Sequence, residues 1–155
     1  MVARNSAGLL PYRVRDGRTE VLIAHMGGPL WARREQGAWS IVKGEYEETE
    51  EPLAAARREF EEETGAPAPP GAPRELGEVR QSGGKRVTAW AVEADLDAAA
   101  MRSNSFELEW PPRSGRVLQF PEVDRFEWCE LGLARTRLVR AQTELLDRLE
   151  RLLGY

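Results

Sequence analysis

The sequence predicts an α/β fold, a mixed sheet with helices packed on it, and three observations carry that reading. Short β-branched and aromatic runs recur along the chain, most plainly at residues 87–93, Val-Thr-Ala-Trp-Ala-Val-Glu. Helix punctuation frames residues 53–63, with Pro52 in the first turn and Gly65 where a left-handed cap is wanted. Finally, residues 134–153 hold no Gly or Pro, and Leu138, Leu145, Leu149 and Leu152 repeat at helical spacing among Arg and Glu.

Taken in order, residues 6–14 read as a first strand, with Pro11 marking an edge or a bulge. Asp16-Gly17 is a hairpin turn signal, and residues 21–25, Val-Leu-Ile-Ala-His, form a second strand. A loop over 26–37 contains Trp31, which can stack on a base or cap the core, since aromatic side chains serve both ends. His25 is the only histidine and reads as a strand-end residue without a metal-binding partner. Residues 39–42, Trp-Ser-Ile-Val, form a strand that runs into Lys43-Gly44. After the helix, the proline-rich 66–73 segment is a stiff spacer loop. Strands follow at 75–81 and 87–93, with a turn at Gly83-Gly84 and a short helix over 96–101. The 105–120 segment reads as an irregular loop, either a surface insertion or a substrate lid. A strand at 125–131 and the amphipathic helix at 134–153, packed on the core, complete the chain.

At 155 residues the chain suits one domain spanning 1–155, without internal repeats. A net charge of −4 excludes a global basic field for a nucleic acid polymer. No apolar run reaches membrane-spanning length, and residues 1–11 lack the pattern of a signal peptide. Cys129 is the single cysteine, so no intrachain disulfide forms; a buried, inert role and a reducing, cytoplasmic location are expected. The amphipathic last helix leaves monomer and homodimer both open.

Residues 44–66 carry the chemistry. Nine Glu fall between Glu45 and Glu63, against only Arg57 and Arg58. Such a run repels itself along a helix. Glu59, Glu62 and Glu63 stand at i, i+3 and i+4 and share one face, while Leu53, Ala56 and Phe60 form an apolar face beside it. Spacing alone leaves two readings: a solvated acidic face, or a carboxylate cluster for a hard divalent cation.

The whole stretch resembles the Nudix box, G-x5-E-x7-R-E-U-x-E-E-x-G-U, with U a bulky aliphatic. Gly44, Glu50, Arg58, Glu59, Phe60, Glu62, Glu63 and Gly65 fall in register. Phe60 is aromatic and Ala66 small, departures that touch packing rather than ligands. The resemblance implies an α/β/α sandwich, a box helix on one face and the C-terminal helix on the other. It also implies a hydrolase of phosphoric anhydride bonds that uses Mg²⁺ (or Mn²⁺). Its metal shell would draw on the Gly44 carbonyl and on Glu59, Glu62, Glu63 and Glu122. Glu122, shortly before Trp128, is the first candidate base, with Glu59 or Glu62 the alternative. Arg58 would support the box structurally, paired with Glu50. Lys43, Lys85 and Arg86 would contact substrate phosphates, although a guard for a strand edge explains the last two as well. The implied substrate is a nucleoside diphosphate linked to another moiety, with dinucleoside polyphosphates or nucleoside triphosphates favoured. A nucleotide-binding sensor or interaction module that does not cleave is the other reading, although such domains usually lose box glutamates.

Overall fold

A computed structural model describes residues 4–155 of the chain. Strands β1 (Asn5–Arg15) and β2 (Arg18–Met26) open it as a hairpin. Asp16 and Gly17 both adopt positive φ, 52° and 76°, as a two-residue turn of this hand requires. The hairpin stays zipped only from Arg15–Arg18 to Tyr12–Val21. Beyond that pair the two strands part, and the chain returns to fill the fork. Strand β3 (Trp39–Ser40) follows β2, pairing with His25 and Ala24, whereas β4 (Val42–Glu45) follows β1 over Ser6–Leu9. The single strand expected over 39–42 is therefore two pieces broken at Ile41.

The fork also corrects the reading of Pro11. It lies in a central strand, buried, between the last residue paired with β4 and the first paired with β2. No antiparallel partner faces that seam, so the missing N–H costs nothing there.

Strand β5 (Arg74–Arg80) and strand β6 (Arg86–Glu93) form the other side of the sheet, β6 running parallel to β1. With β9 (Val123–Glu130) on the outer edge of β2, the sheet has seven strands and is mixed. Period-2 alternation sends side chains to two cores. Leu10, Val21, Ile23, Val87 and Ala89 face one side, where helix α2 (Leu131–Arg137) and helix α3 (Thr143–Leu152) cover them with Leu145, Leu146 and Leu149. Ala7, Leu9, Leu22 and Ala24 face the other, against Ala55, Ala56 and Phe60 of helix α1 (Pro52–Thr64). The result is the expected α/β/α sandwich.

Two further expectations need correction. The 134–153 helix is interrupted: Leu138 and Val139 are extended, and the Val139 N–H donates to the Trp39 carbonyl at 2.8 Å. Pairing with β3 outcompetes local helix propensity, which is a weak preference per residue. The 105–120 segment is not irregular either. It forms a hairpin of β7 (Ser105–Glu109) and β8 (Val117–Pro121), with Phe106 opposite Phe120 and Leu108 opposite Leu118. The alternation of Phe106, Leu108 and Trp110 with Glu107 and Glu109 was the legible signal.

Candidate active site

The cleft lies where β1 and β2 part. It has a volume of about 460 Å³, and its lining includes Gly44, Glu59, Glu63 and Glu122 together with Lys43, Lys85, Gln81 and Gln142. Helix α1 supplies the first carboxylates because both of its ends are fixed. Glu51 caps the N-terminus, accepting from the N–H groups of Leu53 and Ala54 at 3.2 and 2.8 Å. Gly65 closes the C-terminus at φ 71°, its N–H donating to Glu61. Phe60, fully buried, pins the helix on the sheet and accounts for the aromatic at that position.

Arg58 organises the box. Its Nε and Nη2 donate to both oxygens of Glu50 at 2.8 Å, the geometry of a bidentate pair. Its Nη1 donates to Glu59 at 2.8 Å and to Glu62 at 3.2 Å. Glu59 is 8% exposed. Burial raises its carboxyl pKa, and Arg58 pulls the other way. A Cβ on Gly44 would overlap the Glu59 carboxyl group and stand 2.8 Å from its Cγ, so only glycine leaves room for this side chain.

Glu63 meets Glu122 across the cleft. Burial first, then the neighbouring Glu122 carboxylate, pushes the Glu63 carboxyl up to about 8. The Glu122 loop is held by three hydrogen bonds, two backbone to backbone and one to a side chain. The Glu122 N–H donates to Asn104 O at 2.7 Å, its carbonyl accepts from Gly27 at 2.9 Å, and the Val123 N–H donates to Ser103 Oγ at 3.1 Å. Lys43 responds to the opposite constraint. Burial and then the neighbouring Lys85 lower its pKa, opposed by Glu45, Glu63 and Glu59.

The structure thus brings Gly44, Glu59, Glu63, Glu122, Lys43 and Lys85 together. Glu62 does not line the cleft; it is half-exposed and turned to Arg58. Arg86 also lies off the cleft, 3.8 Å from Glu78 on the β5–β6 pair. Trp31 packs half-buried against the α3-side core, with Arg34 5.4 Å over its ring, and is not among the residues lining the cleft. His25 is fully buried: Asp124 at Nδ1 and the Arg34 carbonyl at Nε2, each 2.6 Å away, make it a structural residue. Sequence reasoning missed Ser40, Gln81 and Gln142. Nothing local marks them, because Gln142 sits in what reads as continuous helix.

Among the described residues no three acidic or histidine side chains converge on one metal-sized point as they stand. The donor chemistry nevertheless fits a hard divalent cation. The carboxylates offer oxygen only, and the Glu63–Glu122 pair is short of positive charge, a deficit that a bound cation relieves.

Carboxylates set against lysines across one cleft suit the handling of a polyphosphate, and the comparisons define the class: a hydrolase of phosphoric anhydride bonds. The profile of the NUDIX domain matches residues 4–149, and the chain belongs to the Nudix family. Solved structures agree on the fold. An Ap4A hydrolase from C. elegans, in a binary complex, superposes with a TM-score of 0.67 at 23% identity over 98% of each chain. The NUDIX domain of Shewanella oneidensis NrtR, complexed with ADP ribose, gives 0.69 at 15% identity, over 99% of this chain and 90% of that one. A MutT protein from Methanosarcina mazei Go1 gives 0.62 at 18% identity, over 99% and 96%. No curated protein sequence matches the chain. Among the described residues no helix is long and apolar enough to cross a membrane.

Proposed function

We propose that the chain is a metal-dependent pyrophosphohydrolase that cleaves a nucleoside diphosphate linked to another moiety, a dinucleoside polyphosphate or a nucleoside triphosphate. The observation that carries this reading is the polarity of the cleft: Glu59, Glu63 and Glu122 beside Gly44, and Lys43 and Lys85 in the same cavity. A diphosphate link needs both. The lysines neutralise phosphate oxygens as point charges, and the carboxylates hold cation and water. The relatives are consistent with it, since one is described as an Ap4A hydrolase and another was solved with ADP ribose.

Mg²⁺ (or Mn²⁺) fits the Gly44 carbonyl with Glu59, Glu63 and Glu122; Glu62 would join them on leaving Arg58. When bound, the ion supplies charge neutralisation and a more acidic water. The chain's own residues do the rest. Arg58 holds Glu59 in place and ties the acidic loop to the helix through Glu50. Glu122 accepts the proton of the attacking water, on a loop whose backbone is anchored at Asn104, Gly27 and Ser103. Lys43 and Lys85 bind the phosphate oxygens.

The test is a panel of nucleoside triphosphates, dinucleoside polyphosphates, nucleotide sugars and inositol pyrophosphates, each with Mg²⁺ or Mn²⁺. Phosphorus NMR in isotopically labelled water identifies which phosphorus is attacked. Turnover of a nucleoside polyphosphate, lost in Glu63→Gln and Glu122→Gln, is the expected result. Binding without turnover on every member of the panel would make the chain a sensor and overturn the proposal.

A further inference from the structure

Gln142 is fully buried yet lines the cleft, at the point where the sheet splits. Its hydrogen bonds run in one direction. The Ile41 N–H, which can only donate, donates to Gln142 Oε1 at 2.9 Å. That fixes which end of the Gln142 amide is oxygen. Its Nε2 must therefore donate, and it does so to Ser40 Oγ at 3.0 Å and to Gln81 Oε1 at 2.8 Å. Ser40 in turn donates to the Ile41 carbonyl at 2.7 Å. With its oxygen committed to Gln142, the Gln81 amide has one orientation left. Its NH2 makes no hydrogen bond among the described residues, and Gln81 also lines the cleft. The same turn carries Lys85, whose carbonyl accepts from the Gln81 N–H at 2.8 Å.

One backbone N–H thus sets the polarity of two side-chain amides in sequence. Together with the Lys43 and Lys85 ammonium groups, the Gln81 NH2 gives the cleft a set of groups that donate and cannot accept. An acceptor-only group fits such a set, and a phosphate is the acceptor-only group of a polyphosphate. A nucleobase carries donors and acceptors together and would leave some of its own groups facing donors. We propose that Gln81 binds an oxygen of a substrate phosphate, and that Gln142 is the positioning residue that holds the Gln81 amide with its NH2 toward that oxygen. The proposal rests on the polyphosphate reading above and adds a phosphate contact to it.

The experiment measures binding of inorganic tripolyphosphate and of adenosine by calorimetry with Mg²⁺ present, alongside nucleoside triphosphate turnover. In Gln81→Leu, tripolyphosphate binding weakens by about fivefold to tenfold, the scale of one hydrogen bond to a charged group in a wet cleft. Adenosine binding does not move, and the kinetic loss falls on KM more than on kcat. Gln142→Met weakens tripolyphosphate by about twofold to threefold. In the Gln81→Leu background it adds no further loss, since the amide it orients is gone. A purely structural Gln142 would lower affinity by the same factor in both backgrounds, which overturns the relay.

Gln81 is half-buried on a turn, so its variant keeps the fold, and a thermal melt verifies this. Unchanged tripolyphosphate affinity in Gln81→Leu overturns the phosphate contact. An equal loss for adenosine assigns Gln81 to the base and overturns it too. If the wild-type chain turns over nucleoside polyphosphates but does not bind tripolyphosphate, this inference fails alone. If it does neither, the functional reading fails with it.

Discussion

Gly44→Ala separates the cost of folding from the cost of catalysis. The backbone at Gly44 is outside the left-handed region, so alanine meets no φ strain there. It meets Glu59 instead. The new Cβ would lie 2.8 Å from Glu59 Cγ and closer still to the carboxyl group. Reaching ordinary contact at 3.4 Å moves Cγ by about 0.6 Å, and the carboxylate, lying nearer, by about 1 Å or more. Overpacking of this kind costs about 1–3 kcal/mol. In a chain of this size that lowers Tm by roughly 2–10 °C. A domain stable by about 5–15 kcal/mol therefore remains folded at 25 °C. A ligand displaced by about 1 Å costs on the order of a hundredfold in rate. The assay is kcat on the preferred substrate at saturating Mg²⁺, paired with a thermal melt. Activity within about threefold of wild type, in a protein that melts a few degrees lower, would refute the claim that this glycine exists to seat Glu59.

Other substitutions probe the same cleft. The Glu63 carboxyl is raised to about 8 when folded, above its ordinary 4.5, so the folded protein binds more protons between those values. Metal-free protein should lose stability as pH rises from about 5 to about 8; Glu63→Gln should flatten that slope, and added Mg²⁺ should reverse it, all read as Tm against pH. Arg58→Lys removes the bidentate grip on Glu50 and leaves at most one strong contact among three carboxylates. With Arg58 partly exposed, the stability loss is screened to about 1–2 kcal/mol, whereas turnover should fall by about tenfold or more; calorimetry and initial rates check the two. Gly27→Ala would drive a Cβ into the backbone at Pro121, beside Glu122, so activity and Tm should fall together. Gly132→Ala, a helical site where a Cβ meets nothing within 4 Å, should raise Tm slightly and leave rates alone.

How much of the site was legible follows from what each signal depends on. The Asp16-Gly17 turn, the Gly65 cap and the placement of helix α1 rest on local backbone preferences, and the residues state them directly. Glu59 and Glu63 are legible as neighbours in the cleft because box spacing is a one-dimensional pattern. Glu62 shares that pattern but does not line the cleft, since its carboxylate accepts from Arg58. That Trp31 and Arg86 lie off the cleft is not legible in the sequence, because sequence distance does not say which surface a side chain reaches. The 105–121 hairpin was overlooked although its period-2 alternation is present, because the prolines between its strands read as loop.

The order of residues by itself determined the α/β class, the family, the ends of helix α1 and the spacing of its glutamates, because each is written in propensity or in fixed spacing along the chain. Only the tertiary structure decided that β1 and β2 part to open a cleft, that Val139 leaves a helix to pair with Trp39, that Glu122 closes on Glu63, and that Gln142 hands its polarity to Gln81. Those contacts join residues about 60 to 100 positions apart, and their energies exist only once the sheet has brought the partners within a few ångströms.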